Sequence, residues 1–431
     1  MRPNNRRDFL KSTALAGVGF WIAGTANADD SKTANDGIRF ACIGIGGKGT
    51  SDTADAAKSG DVVAICDIDD ERLGKATEKY PKAEKFNDYR KMFDKMAKSI
   101  DAVTVSTPDH THAVASAMAM RLGKHCFTQK PLTHTLYEAR RLAEIAREMK
   151  VATQMGNQGT AGGGLRKAAA MVRAGMLGKV HEVHVWTNRP IWPQGGERPA
   201  TADVPATVHW DLWLGPMAER PYGKGYHPFA WRGFWEFGTG ALGDMACHTL
   251  NMPFMALDLR DPISVEAESS DHNKESYPKW SIIRYTFAER GKRPGLTLMW
   301  YDGGKLPPAE LIDGKEPAKS GSLIIGEKGK LYSSGDNGGS YQLLGGVTEP
   351  KVEYPNSPGH FAEFVRAIKG GEPAMSNFPD YAGPLTETVL LGNLAVWAGK
   401  KVEWDAKNLK AKNVPEVEAI IKAKYRKGYE L

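Results

Sequence analysis

IRFACIGIGGKGTSDTADAAKSGDVVAICD, residues 38–67, decides the fold of this chain. The stretch opens with an apolar run rich in β-forming residues and turns through Gly44, Gly46, Gly47 and Gly49. It continues in a polar, alanine-rich segment and closes in a second apolar run that ends at Asp67. The pattern is strand, glycine turn, helix, strand, acid. The first glycine permits the tight turn, the second lets the backbone approach a pyrophosphate, and the third lets the helix pack close to the strand. Phosphates then rest on the unpaired N–H groups of the helix start. Asp67, a little over twenty residues after Gly44, is placed to accept hydrogen bonds from two ribose hydroxyls. A glycine-rich surface turn would need neither the flanking strands nor the acid, so the stretch reads as a dinucleotide site.

Ahead of it, residues 5–11 read NRRDFLK, followed by a modestly apolar run over 12–25 and the small-residue exit Ala26, Asn27, Ala28. This order of basic, apolar and Ala-x-Ala parts resembles a twin-arginine export signal over residues 1–28, cleaved after Ala28. The apolar run is too short and glycine-rich for a membrane span, and no cysteine adjoins the cut to anchor a lipid. Removing the leader takes away four basic residues and one acid, so the formal charge falls from +6 to +3. That balance offers no basic stripe for nucleic acid. The remaining length suggests two domains. The four cysteines, Cys42, Cys66, Cys126 and Cys247, each lie in or beside an apolar run. A protein folded in the reducing cytoplasm before export keeps them as free, buried thiols.

Beyond Asp67 the α/β alternation continues, with helical patterns over 71–79 and 89–98 and a buried-strand run over 102–106. That run delivers TPDHTH, with Thr107 at the carboxyl end of a strand, where ligands of open parallel sheets bind. His110 and His112 lack further Cys or His partners at metal spacing, so they read as helix-capping or cofactor-contacting residues, and no metal is expected. The next strand, 125–128, leads into QKPL, which places Lys130 at a strand end just before a proline. A lysine there can donate to a substrate hydroxyl or a nicotinamide ribose. A helix over 136–150 and a strand over 151–155 precede GNQG, whose Asn157 and Gln158 amides suit either cofactor or sugar.

A second region carries a helix over 165–174 and β runs over 180–187, 282–287, 296–301 and 322–325, several with alternation, as antiparallel strands with one covered face require. Between them lies an aromatic segment that includes Trp210, Trp213, Tyr226, Phe229, Trp231, Trp235 and Phe237. It reads either as a sugar-stacking surface or as the packing of a long loop. FGTGALGDMACHTLNMPF follows, in which Asp244 and His248 are four residues apart and so share one helix face. An imidazole can take a hydroxyl proton and a nearby carboxylate can orient it; a core histidine with a capping aspartate is the structural alternative. Pro253 should end or kink this helix. Helices over 360–370 and 384–399 come next, and from residue 400 rising charge suggests only a surface tail that wraps a neighbouring domain or subunit.

The glycine turn, TPDHTH, QKP where glutamate usually precedes the lysine, and DMACH occur in the order found in the Gfo/Idh/MocA family of sugar and cyclitol oxidoreductases, which the chain resembles from about residue 38 to its end. The resemblance implies a Rossmann parallel sheet over residues 36–160 and, over 161–431, an α/β substrate and oligomerisation domain with a large open, mainly antiparallel sheet. The active site would lie between them. Gln129 in place of the usual glutamate removes a negative partner from Lys130 and leaves open how that lysine is held.

The resulting expectation is an exported NAD-dependent oxidoreductase acting on a sugar, glycoside or cyclitol hydroxyl, periplasmic and homo-oligomeric. Lys130, Asp244 and His248 form its catalytic set. Gly44, Gly46, Gly47, Gly49, Asp67, Thr107, His112, Lys130 and Asn157 would hold the cofactor; Gln158, Trp231, Arg232, Asp244 and His248 would meet the carbohydrate. Asp67 repels a 2′-phosphate and Ile68 follows it, so no adjacent arginine welcomes NADP and NAD is preferred. Because free nicotinamide cofactor is not expected outside the cytoplasm, the NAD should be tightly bound and regenerated in place. An NAD-dependent glycosidase working through transient C3 oxidation, and a non-catalytic sugar-binding protein, are the alternatives.

Overall fold

The apolar run that opens the decisive stretch forms β1 (Ile38–Ile43), a central strand of a six-stranded parallel sheet. The structure, a computed structural model, describes residues 37–431, and the leader read at 1–28 lies outside the described residues. The sheet is completed by β2 (Gly60–Cys66), β3 (Glu84–Phe86), β4 (Ala102–Val105), β5 (His125–Thr128) and β6 (Thr153–Met155) in the order β3-β2-β1-β4-β5-β6. Helices α1 (Lys48–Ser59), α2 (Asp70–Lys79), α3 (Tyr89–Met96), α4 (Asp109–Arg121) and α5 (Leu136–Met149) alternate with these strands. β4 is buried throughout, as a strand covered on both faces must be. The chain leaves β1 toward β2 on one side and returns to β4 on the other. That reversal opens a crevice at the carboxyl ends of β1 and β4, where ligands of such sheets bind.

Residues beyond β6 build α6 (Gly163–Arg173), β7 (Val180–Trp186), α7 (Trp210–Leu214), α8 (Gly240–Thr249) and α9 (Asn251–Leu257). Then come β8 (Ser264–Ser269), β9 (Ser281–Phe287), β10 (Leu296–Tyr301), β11 (Gly321–Gly326), β12 (Gly329–Ser334) and β13 (Gln342–Leu344). After α10 (His360–Ile368) and α11 (Gly383–Ala398) follow β14 (Val402–Asp405), β15 (Lys410–Ala411) and α12 (Glu418–Ile421). The strands β7 to β15 form one nine-stranded sheet in the order β13-β12-β11-β7-β10-β9-β8-β14-β15. Only β7 and β10 pair in parallel. Burial alternates along β9, so one face is covered, and α11 lies there with Val389 O accepting from Tyr285 Oη at 3.2 Å. The main apolar cluster runs from Ile43, Val105 and Leu142 under the first sheet to Leu298, Leu331 and Leu391 at the second.

One local expectation changes, and two that concern local packing are settled. Residues 400–431 are more than a surface tail: β14 pairs with β8, and Val402, Trp404, Val414, Val417 and Ile421 are buried. The alternation of buried Val402 and Trp404 with Glu403 and Asp405 is the pattern of a strand covered on one face, hidden among lysines. The end of the chain then reaches back to the first domain, where Tyr425 Oη donates to Glu138 Oε1 at 2.8 Å. The break expected from Pro253 is present: α8 stops at Thr249, whose carbonyl the N–H missing at 253 would have met, and α9 restarts at Asn251 with the proline in its first turn. Most of the aromatic segment is packing: Trp210 stacks on Trp213 at 4.6 Å, and Trp213, Tyr226, Phe234 and Phe237 are buried together.

Candidate active site

The glycine turn has the geometry its residues require. Gly44 has φ +76°, and a Cβ there would lie 2.6 Å from Ser106 O. A Cβ on Gly49 would stand 1.9 Å from Gly44 O, so only glycine lets α1 pack against the turn. Gly47 is the N-cap of α1 and no side chain caps that helix, which leaves its N-terminus available to an anion. Asp67, at the end of β2, accepts from the N–H of Ile45 at 3.0 Å and of Asp69 at 3.1 Å. Burial raises its carboxyl above the ordinary value, opposed by the Ile45 hydrogen bond and the Arg72 guanidinium. Arg72 corrects one step of the sequence reading. No arginine follows Asp67 directly, but α2 carries Arg72 back over the turn, where a Cβ on Gly46 would meet its guanidinium at 2.6 Å.

The chemical end of the site is built from β5 and α8. Lys130 Nζ donates to Asp244 Oδ1 and to Asp244 O, both at 2.8 Å. Arg232 Nε lies 3.6 Å from the same carboxylate. Burial disfavours the charged form of Asp244, yet Lys130, Arg232 and His248 together hold its pKa below the usual carboxylate value. One turn along α8, His248 is pushed down to about 3, first by burial and then by the Lys130 charge, against the opposing pull of Asp244. Its imidazole is therefore neutral at physiological pH, with one ring nitrogen unprotonated. Its Nδ1 is buried with no hydrogen-bond partner among the described residues.

Gln129 does not leave Lys130 unpaired, because Asp244 supplies the negative partner. The Gln129 amide instead donates to Asp52 Oδ2 at 2.8 Å. Ser106 Oγ donates to the same oxygen at 2.8 Å, while Lys48 pairs with Oδ1. The acidic group at this point of the fold thus stands on α1, in direct contact with residue 129. Gly156 makes room for the amide: a Cβ there would lie 2.4 Å from Gln129 Nε2.

A cavity of about 450 Å³ joins the two ends. Gly44, Gly46, Gly47, Asp67, Thr107, Lys130, Gln158, Trp231, Arg232, Asp244 and His248 line it, together with Arg72, Asp109, His227 and Phe229, which sequence reasoning did not nominate. Gly49, His112 and Asn157 lie behind its wall. The His112 ring spans Pro131 O at 2.9 Å and Thr107 O at 2.8 Å, bracing the ends of β4 and β5. Asn157 accepts from Ser376 Oγ at 2.5 Å and donates toward Cys247 O at 3.4 Å, bracing α8. His110 faces Trp213 O at 2.8 Å and Phe237 O at 3.2 Å, deep in the aromatic cluster. All four cysteines are free and buried. Trp231 and Phe229 sit under the Arg232 guanidinium, at 4.2 and 5.0 Å, and with Trp213 bring the aromatic segment to the cavity.

An open glycine turn, an uncapped α1, Asp67 at one end and an orphaned imidazole nitrogen at the other fit a bound dinucleotide. Together they define a Rossmann protein whose nucleotide crevice is closed by an ionisable cluster from a second, mainly antiparallel domain. The chain belongs to the Gfo/Idh/MocA oxidoreductase family: residues 38–157 match its NAD-binding Rossmann fold and residues 163–431 its C-terminal α/β domain. A glycosyl hydrolase family 109 protein of Solibacter usitatus is 30% identical over 154 residues, 32% of this chain and 35% of that protein. A myo-inositol 2-dehydrogenase of Thermotoga maritima is 25% identical over 158 residues, 36% of this chain and 47% of that one. The matches thus span about a third to a half of the curated relatives' length. The WlbA dehydrogenase of Bordetella pertussis, solved with NADH and UDP-GlcNAcA, superposes with a TM-score of 0.62 at 16% identity, covering 86% of this chain and 99% of that one. The aldose-aldose oxidoreductase of Caulobacter crescentus, solved with glycerol, gives 0.59 at 18% identity over 85% of this chain and 100% of its own. These two structures share the fold.

Proposed function

We propose that the protein is an exported, NAD-dependent oxidoreductase acting on a hydroxyl of a sugar, glycoside or cyclitol, with its cofactor tightly held. The observation that carries this reading is the convergence of the Gly44–Asp67 end and the Lys130–Asp244–His248 cluster on one cavity. Bound in the crevice, NAD supplies the hydride acceptor. His248, neutral by virtue of burial and the Lys130 charge, takes the hydroxyl proton. Lys130, fixed by its two bonds to Asp244, donates to the oxygen that becomes the carbonyl. Trp231 offers an apolar face to the C–H side of a ring, with Arg232 above it.

The paired arginines Arg6 and Arg7, with the apolar run and Ala26–Asn27–Ala28 behind them, support export through the twin-arginine route. Export supports a retained cofactor. A second reading, an NAD-dependent glycosidase, draws support from the two family 109 glycosyl hydrolase relatives. There His248 and Lys130 would serve an oxidation that is reversed within the same turnover. Denaturing the purified protein and identifying the released nucleotide by mass spectrometry tests retention: NAD should appear at near-stoichiometric yield, and a nucleotide-free protein removes that part of the proposal. Aryl glycosides separate the two readings, since only a glycosidase frees the aryl group while leaving the cofactor unchanged at the end of the cycle.

A further inference from the structure

Asp109 is a buried carboxyl in this cavity that the roles above do not use. It is the first residue of α4, 5% exposed, and lines the cavity beside Lys130, Arg232 and Asp244. Its Oδ2 accepts a 2.7 Å hydrogen bond from Thr239 Oγ1. Thr239 is the N-cap of α8, yet its hydroxyl makes no bond to that helix. A threonine in this place ordinarily caps its own first turn; here the hydroxyl is turned to the other domain. Gly243 makes the turn feasible, because a Cβ there would stand 2.0 Å from Thr239 Oγ1. Asn393 Nδ2 holds Thr239 O at 3.0 Å from the far side. The start of the helix that carries Asp244 and His248 is thereby tied to the helix at the mouth of the nucleotide crevice.

Only Oδ2 is engaged: among the described residues, no hydrogen bond reaches the other oxygen of Asp109. The groups facing this carboxyl are Thr239, Lys130 after β5, Arg232, Asp244 and Cys247 on α8, and Tyr277 before β9. Two cations and a hydroxyl favour its charge, while burial and Asp244 oppose it.

We propose that Asp109 is a substrate-contacting residue, its free oxygen accepting a hydroxyl next to the one that is oxidised while its bound oxygen registers α8 through Thr239. The inference rests on the redox reading of the cavity. It makes the site one for a polyol with two neighbouring hydroxyls, recognised at two points, rather than for an isolated alcohol. A site built to pair a hydroxyl discriminates strongly against an analogue that lacks it.

The role has a pH signature. Burial pushes Asp109 up to about 7, with Thr239, Arg232 and Lys130 pulling it back. His248, lowered to about 3, stays neutral throughout the working range. A loss of kcat/KM on acidification through about pH 7 is therefore expected from Asp109 rather than His248, and its absence in Asp109→Asn separates Asp109 from Asp67, the other raised carboxyl in the cavity.

The test compares wild type, Asp109→Asn and Asp109→Ser on a turned-over polyol and on its deoxy analogue lacking the neighbouring hydroxyl. Asn keeps an amide oxygen where Thr239 bonds, and Ser, which removes both carboxyl oxygens and can cap α4, serves if the Asn protein does not fold. Wild type should prefer the polyol by about tenfold or more in kcat/KM and lose activity below about pH 7. Asp109→Asn should raise KM for the polyol, narrow the preference and flatten the acid limb. Wild-type turnover with an unchanged KM, preference and acid limb in the variants overturns the role of Asp109 alone. If wild type oxidises no polyol, the redox reading fails and takes this inference with it.

Discussion

Replacing Gln129 by glutamate, the residue the family usually carries before the lysine, sets a second carboxylate against Asp52. The amide nitrogen it replaces lies 2.8 Å from Asp52 Oδ2, and Asp52 is 1% exposed. At that separation two full charges repel by about 6 kcal/mol at an effective dielectric of ~20. Lys48, paired to the other oxygen of Asp52, offsets part of this. The pair relieves the rest by sharing a proton, which costs about 3–4 kcal/mol at pH 8. The sign follows from linkage. A carboxyl whose folded pKa lies above its unfolded value binds more protons in the native state, so the variant loses stability as pH rises between the two values. Urea unfolding at pH 5 and pH 8 should show Gln129→Glu within about 1 kcal/mol of wild type at the lower pH and about 3 kcal/mol less stable at the higher. Adding Asp52→Asn, which restores one acid and one amide with their places exchanged, should recover most of the loss at pH 8. An equal deficit at both pH values, or a double variant no more stable than the single one, refutes the placement of the charge on α1.

Gly49→Ala forces a Cβ to 1.9 Å from Gly44 O, so α1 must move away from the turn. A calorimetric titration with NAD should show at least about tenfold weaker binding, alongside about 1–3 kcal/mol of lost stability from overpacking. Arg166→Met strands Glu363, now paired at 2.5 Å with both side chains buried. Urea unfolding near pH 7 should show about 3–5 kcal/mol lost. Burial disfavours the charged form of Glu363, but Ser357, the Met375 N–H and Arg166 hold its carboxyl below the ordinary value. The stability it contributes is therefore present above its unfolded pKa and lost as pH falls through the folded one, so the gap to wild type should narrow at acid pH.

What could be read from residues alone followed from local geometry. The turn of Gly44, Gly46 and Gly49, the acid at the end of β2 and the i, i+4 pair Asp244 and His248 are features of short stretches, where spacing sets direction. β7, β9 and β10 were legible because some apolar alternation survives in them, and β11 as a short apolar run, whereas β13 and β15 have three and two residues and hold too few to show a period. The partners that finish the site depend on contacts distant in sequence: Gln129 with Asp52 across 77 positions, Lys130 with Asp244 across 114, and Asp109 with Thr239 across 130. Nothing in DHTH distinguishes an acid that starts a helix from one that also reaches another domain. Arg72 was within reach, since a residue five positions after Asp67 on a helix starting at Asp70 returns toward the strand end. The aromatic segment remained divided between sugar binding and packing because composition cannot separate the two. The fold buries Tyr226, Phe234 and Phe237 together, lets Trp213 and Trp231 belong both to that cluster and to the cavity wall, and turns Phe229 to the cavity.

The most direct measurement is the nicotinamide absorbance of purified protein, supplemented with NAD, as sugars, glycosides and cyclitols are added one at a time. Wild type should reduce NAD with at least one of them, and His248→Ala should do so about a hundredfold or more slowly while binding NAD unchanged. An undiminished rate in His248→Ala, or no cofactor reduction with any polyol, would contradict a redox centre built on His248, Lys130 and Asp244.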